Sequence, residues 1–304
     1  MGVVQEIRQR TIGTLVYTVK NYVEVTKPPS VLLLVFTTLS TMIVAAAGRG
    51  IPLPLLLHAI AAATAGCAGA NAITCYIDRD IDSLMERTKS RPLPARRIHP
   101  PQRALYWGLV LTLLSLVLAW QINLLAFLCM SLGIIDNVVV YSLLVKRRSP
   151  LNVIWGGFSG GLPALFGWTA INNSVSLTAI LISALVVLWI PNHIWNLAIF
   201  YSNDYKKAKV PMLPTVLALE KVLRCMAATV WLLYIFSIAL AFVGGFGPIY
   251  LGVALVSGLL ISLSNTYLVF RPSRRNAWTL FKLSSPYLFV LFAGMMLDVL
   301  WRRM

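Results

Sequence analysis

The chain has 304 residues, 58% of them hydrophobic and 12% charged, with a mean hydropathy of +0.78. A soluble domain carries roughly 45–50% apolar residues, so this composition excludes an ordinary soluble protein, a disordered chain and a collagen-like repeat, and points to a polytopic membrane protein. The net charge of +16, from 26 Lys and Arg against 10 Asp and Glu, would suggest a polyanion partner in a soluble chain, whereas basic cytoplasmic loops account for it here.

A spanning helix needs about 20 apolar residues. Nine segments qualify, at 30–48, 54–77, 104–121, 124–145, 151–170, 176–201, 222–244, 248–270 and 278–300, which predicts an all-α bundle of one domain over residues 1–304. Arg8, Arg10, Lys20 and Lys27 precede the first span with no small-residue cleavage site, so the N-terminus reads as mature rather than as a signal peptide. With spans alternating, 22 of the 26 basic residues fall on the side of the N-terminus and three, Arg49, Arg302 and Arg303, on the other, while Lys282 lies inside the ninth span. The N-terminus and the loops after even-numbered spans are therefore expected in the cytoplasm.

At the cytoplasmic end of the second span, four of the ten acidic residues fall within nine positions: Asp78, Asp80, Asp82 and Glu86. If the helix continues there, Asn71, Thr74, Asp78 and Asp82 share one stripe and Asp80 points elsewhere. Two carboxylates one turn apart repel, and a divalent cation relieves the repulsion. Mg²⁺ suits such a pair, since it takes one or two carboxylates and completes its shell with phosphate oxygens and water. Arg87, Lys89 and Arg91 follow, with Lys146, Arg147 and Arg148 after span four and Lys206, Lys207 and Lys209 after span six, a set able to clamp a diphosphate. The plain alternative for any single lysine is a membrane anchor.

Asp136 in span four and Asp298 in span nine are further carboxylates at membrane depth, for which Lys282 is a candidate partner. Span five holds Gly156, Gly157, Gly160 and Gly161 before Pro163, predicting a smooth, kinked helix. Span six carries His193 beside Pro191, Asn192, Trp195 and Asn196, a candidate porphyrin-iron ligand or a packing histidine. The two long cytoplasmic segments, about 78–103 and 202–221, share an order: carboxylates, basic residues, then a proline-bracketed apolar pair, as in a degenerate repeat of about four spans. Active-site residues are expected on these segments. Cys67, Cys75, Cys129 and Cys225 form no Cys-x-x-Cys pair and read as small core residues.

The run Asn71 to Leu93, the stretch Tyr141 to Asn152 with Gly156-Gly157 and Gly167-Trp168 after it, and the segments around His193, Asp204-Tyr205 and Val210 to Pro214 resemble the UbiA prenyltransferase superfamily, and more narrowly its haem-farnesylating branch, over nearly the whole chain. Thr74 stands where that family usually has Asn, the N-terminal Lys-Pro-Arg reads Lys27-Pro28-Pro29, and the second acidic motif keeps only Asp204 beside Asn203.

The resemblance implies a UbiA-like bundle that transfers farnesyl from farnesyl diphosphate to a vinyl group of protoheme IX (haem B), making haem O. It implies Mg²⁺ on Asp78, Asp82 and Asp204, and diphosphate held by Lys146, Arg87 and Arg91. Substrate contacts are implied for Asn71, Thr74, Tyr141, Asn152, His193, Asn196 and Tyr205, with Tyr141, Trp168, Trp195 and Tyr205 as aromatic faces for a carbocation. A cell-membrane location follows, or the mitochondrial inner membrane in a eukaryote, with a haem A synthase or oxidase-assembly factor as partner. Three other readings stay open from the sequence: a UbiA-type enzyme for quinone precursors or other lipids, a transporter, and a noncatalytic haem-binding assembly protein.

Overall fold

In lipid every backbone polar group must be satisfied within the protein, so the apolar segments become helices. The computed structural model describes residue 13 and residues 15–302; Arg8, Arg10 and Arg303, counted above, lie outside them. Residues 15–24 are helical, followed by α1 Pro28–Ala46, α2 Leu53–Ile77, α3 Arg79–Leu84, α4 Gln102–Ile122 and α5 Leu124–Ile135, which runs on as a π-helix over Asp136–Val145. Then come α6 Asn152–Trp155, α7 Phe158–Asn172, α8 Leu177–Phe200, α9 Ser202–Lys207, α10 Leu213–Val216, α11 Leu219–Val243, α12 Pro248–Phe270 and α13 Arg274–Trp301.

Among the described residues eight helices are long and apolar enough to cross a membrane, and the chain is a multi-pass membrane protein. The fifth expected span, 151–170, is broken. A turn at Gly156 and Gly157 splits it into α6 and the 15-residue α7, and Pro163 lies inside the latter. Glycine and proline both weaken a helix interior.

Asp136 and Asp298 are not paired with Lys282, whose exposed ammonium lies 5.9 Å over the Trp278 ring. Both carboxylates cap helices instead. Asp136 Oδ2 accepts from Ser159 N (2.8 Å) at the start of α7. Asp298 accepts from Gly247 N (2.6 Å) and from Ile249 N and Tyr250 N (3.2 Å each) at the start of α12, with Arg302 at 3.4 Å. A helix N-terminus offers unpaired donors and partial positive charge, so neither acid needs a lysine. Cys225 is exposed on α11, unlike the core position expected of it.

Helices α1, α2, α4 and α5 pack in one half and α8, α11, α12 and α13 in the other, with α7 touching both through α1, α5 and α8. The expected repeat appears as matched geometry: α2 and α8 each end in a turn and a six-residue helix, α3 and α9. The close crossing of α2 and α4 rests on Gly69 and Gly108, where an added Cβ would lie 2.8–2.9 Å from the other glycine's carbonyl oxygen.

Candidate active site

The stripe predicted on the second span survives a local change of backbone. Asp78 leaves the helix (φ −91°, ψ 4°) before α3 begins, yet Asn71, Thr74, Asp78 and Asp82 all line one polar chamber of about 190 Å³. Arg87, Arg91, Tyr141, Lys146 and Tyr205 line it too. Asp78 and Asp82 are buried, and each meets a cation: Lys146 Nζ donates to Asp78 Oδ2, and Arg91 Nη1 donates to Asp82 Oδ2 at 2.9 Å. Asp80 faces away, 61% exposed, and binds the Arg147 fork through two 2.6 Å hydrogen bonds that hold its carboxyl below the usual range.

Other expected residues stand behind the chamber. Asp204 Oδ2 accepts from the backbone N–H of Arg87 (3.1 Å), so it anchors the Arg87 segment and is not gathered with Asp78 and Asp82. Among the described residues no three His, Cys, Asp or Glu side chains converge as a metal-holding group. Asn152 Nδ2 donates to the carbonyls of Lys146 (3.2 Å) and Pro211 (3.4 Å), tying two loops together, while Asn196, fully buried, donates to Asn192. Neither lines the chamber or the apolar cavity beside it, nor do Trp168 and Trp195. Lys206, Lys207 and Lys209 are exposed and take no part in the chamber wall, as charges on an amphipathic segment prefer water. Lys89 is likewise exposed, paired with Glu86.

Lys27, noted in the sequence only as an N-terminal charge and part of the altered Lys-Pro-Arg, and Asn137 were not expected at the site. Lys27 adopts a left-handed conformation (φ 56°) ahead of Pro28, and its ammonium reaches Thr74 Oγ1 at 3.3 Å on the chamber wall. The preceding helix is held by Glu24, which two Arg97 nitrogens grip at 2.5 and 2.7 Å, depressing the Glu24 pKa, and Thr26 O accepts from Asn71 Nδ2 at 2.9 Å. Asn137 sits one position from Asp136 at the start of the π-helix and lines the chamber, while Asp136 turns to the start of α7.

Asn71, Asn137, Tyr141 and Ile194 also line a second, mostly apolar cavity of about 450 Å³, so the polar chamber opens into it. One side of that cavity is formed by Ala63, Gly66 and Cys67 of α2, Met130 of α5 and Phe166 of α7; another by Leu33 of α1, Trp189 and His193 of α8 and Phe281 of α13. Tyr141 stands at the junction, its ring packed against Gly156 and 5.5 Å from the Lys146 ammonium.

The chamber suits a hard divalent cation brought in with a diphosphate. Asp78 Oδ1 is buried without a hydrogen-bond partner and Arg87 Nε is likewise unmatched, so an acceptor and a donor await a ligand. Two carboxylates fit Mg²⁺ when phosphate oxygens and water complete the shell.

A model of the UbiA prenyltransferase family matches residues 33–292. The protoheme IX farnesyltransferase of Desulforudis audaxviator is 53% identical over 94% of this chain and 90% of its own length, and that of Thermoplasma volcanium 40% identical over 91% and 97%. Among solved structures, a digeranylgeranylglyceryl phosphate synthase superposes with a TM-score of 0.78 at 20% identity, covering 93% of this chain and 99% of that one. A UbiA homologue from Archaeoglobus fulgidus bound to DMAPP and Mg²⁺ superposes with a TM-score of 0.65 at 18% identity, covering 90% and 99%.

Proposed function

The chain belongs to the UbiA prenyltransferase family, and from that membership we propose that it transfers the farnesyl group of farnesyl diphosphate to a vinyl group of haem B, making haem O. The observation that carries this reading is the continuity of a cationic, carboxylate-bearing chamber with an apolar cavity walled in part by His193. A diphosphate fits the first and a prenyl tail and tetrapyrrole the second.

The chamber's cations, Arg87, Arg91 and Lys146, hold the diphosphate and stabilise the charge it gains as the allylic C–O bond breaks and it leaves with the electron pair. Mg²⁺ on Asp78 and Asp82 would supply Lewis-acid neutralisation of the same charge. The vinyl π electrons bond to the allylic carbon, water adds at the vinyl carbon next to the ring, and a proton is released. Apolar walls from Ala63 to Phe166 keep water from the allylic cation, and Tyr141 offers its ring face at the junction. Asp204 serves by fixing Arg87. The chamber opens to the cytoplasm and the protein resides in the cell membrane.

Purified protein incubated with haem B, farnesyl diphosphate and Mg²⁺ is expected to yield a pigment heavier by one farnesyl group plus the elements of water, and a chelator is expected to abolish it. Prenylation of a quinone precursor with none of haem would overturn the acceptor assignment.

The α2 wall also fits the donor's length. From Asn71 to Ala63 the helix descends about 12 Å at 1.5 Å per residue, close to the roughly 14 Å that three extended isoprene units span by ordinary carbon–carbon geometry. Cys67→Phe, which fills the middle of that wall, should shift kcat/KM from farnesyl toward geranyl diphosphate by about tenfold or more. An unchanged preference would place the tail elsewhere.

A further inference from the structure

Two short contacts meet at one hydroxyl in the second half of the bundle. Ser284 Oγ lies 2.7 Å from the carbonyl oxygen of Phe281, one turn earlier in α13, and 2.6 Å from Nδ1 of His193 on α8. A serine hydroxyl has a single proton. The Phe281 carbonyl can only accept, so the contact with it requires that proton. The remaining contact is then a hydrogen bond only if His193 Nδ1 carries its own hydrogen and donates it to Oγ. The reverse assignment would leave two oxygens facing each other at 2.7 Å with no hydrogen between them. His193 is therefore the Nδ1–H tautomer, and its Nε2 lone pair is free.

The ring is also fixed in plane. Trp189 stacks on it at 4.5 Å and 21°, and Phe281 at 4.5 Å and 29°. Trp189 Nε1 in turn donates to the carbonyl of Ser284 at 2.8 Å, so indole, imidazole and serine are locked as one unit. His193, Trp189 and Phe281 all line the apolar cavity.

We infer that Ser284 is a positioning residue: it sets the tautomer of His193 so that Nε2 faces the cavity as a ligand for the iron of the tetrapyrrole acceptor. This rests on the reading of haem as acceptor. Histidines that ligate iron owe their tautomer and orientation to the group bonded at the other ring nitrogen, and losing such a partner typically weakens metal affinity by about 10–100-fold.

The test is a titration of the full-length protein in detergent with ferric haem B, without prenyl diphosphate, read by optical absorption and electron paramagnetic resonance. The unaltered protein should give a histidine-ligated spectrum. His193→Ala should abolish that spectrum. Ser284→Ala should weaken haem binding by about 10–100-fold and broaden or shift the Soret band, whereas Ser284→Thr, which keeps the hydroxyl, should restore both. Each variant should still unfold in a single cooperative transition in detergent and still bind prenyl diphosphate, which separates positioning from loss of the fold. A spectrum and affinity unchanged in Ser284→Ala would overturn the inference, as would histidine ligation persisting in His193→Ala. Haem O formation alongside either of those results would leave the enzymatic reading standing; transfer only to a non-haem acceptor would remove that reading itself.

Discussion

Asp78→Asn and Asp82→Asn are each expected to lower turnover by about 10²–10³-fold or more while the bundle stays folded. Both carboxylates are buried in the chamber wall, and both already face a cation, Lys146 for Asp78 and Arg91 at 2.9 Å for Asp82. Alanine would be the poorer choice, because it also removes the oxygen that accepts from the buried cation and leaves a void beside it. Asparagine keeps the size and one acceptor oxygen, and removes the negative charge on which the metal depends. Steady-state haem O formation read by mass, beside a thermal unfolding midpoint in detergent, separates the two effects. Unimpaired turnover in both variants would dismiss the chamber as the metal site. Asp80→Asn is the matched control: its carboxylate is exposed beside Arg147, and its loss should leave turnover within about twofold.

Gly167→Val should destabilise the bundle through a backbone clash between α1 and α7. An added Cβ at Gly167 would lie 2.4 Å from the carbonyl oxygen of Thr38, 3.1 Å from its carbonyl carbon and 3.2 Å from its Cα. All three are backbone atoms of α1, so no side chain can rotate aside. Relief requires α1 and α7 to separate, breaking the hydrogen bond from Thr38 Oγ1 to the Pro163 carbonyl (3.0 Å) and opening the cavity that both helices wall. Overpacking of a rigid contact costs about 1–3 kcal/mol or more, and valine should exceed alanine. Denaturant unfolding in detergent reads the loss. Gly252→Ala on α12, where an added Cβ meets nothing within 4 Å, should be neutral or slightly stabilising. Equal stability of the Gly167 and Gly252 variants would refute the close approach.

Much of this protein is determined by its sequence alone, for a physical reason. In lipid a run of about 20 apolar residues has no alternative to helix, so eight of the nine expected spans and the two long segments that connect them follow from local composition. The acidic stripe is equally local: Asn71, Thr74, Asp78 and Asp82 are close in sequence, and the short turn at Asp78 does not disperse them. Which residues surround that stripe depends on contacts between distant helices. Asn137 enters the chamber while its neighbour Asp136 turns to the start of α7, Lys27 reaches it through a left-handed backbone turn, and Asp204 is drawn to the Arg87 backbone. Asp136 and Asp298, conspicuous in the sequence as charges at membrane depth, were matched by helix N-termini that no periodicity reveals. The pairing of His193 with Ser284, 91 positions apart, is of the same kind. Short-range order is encoded by composition and spacing, whereas hydrogen-bond partners across a bundle are decided by packing.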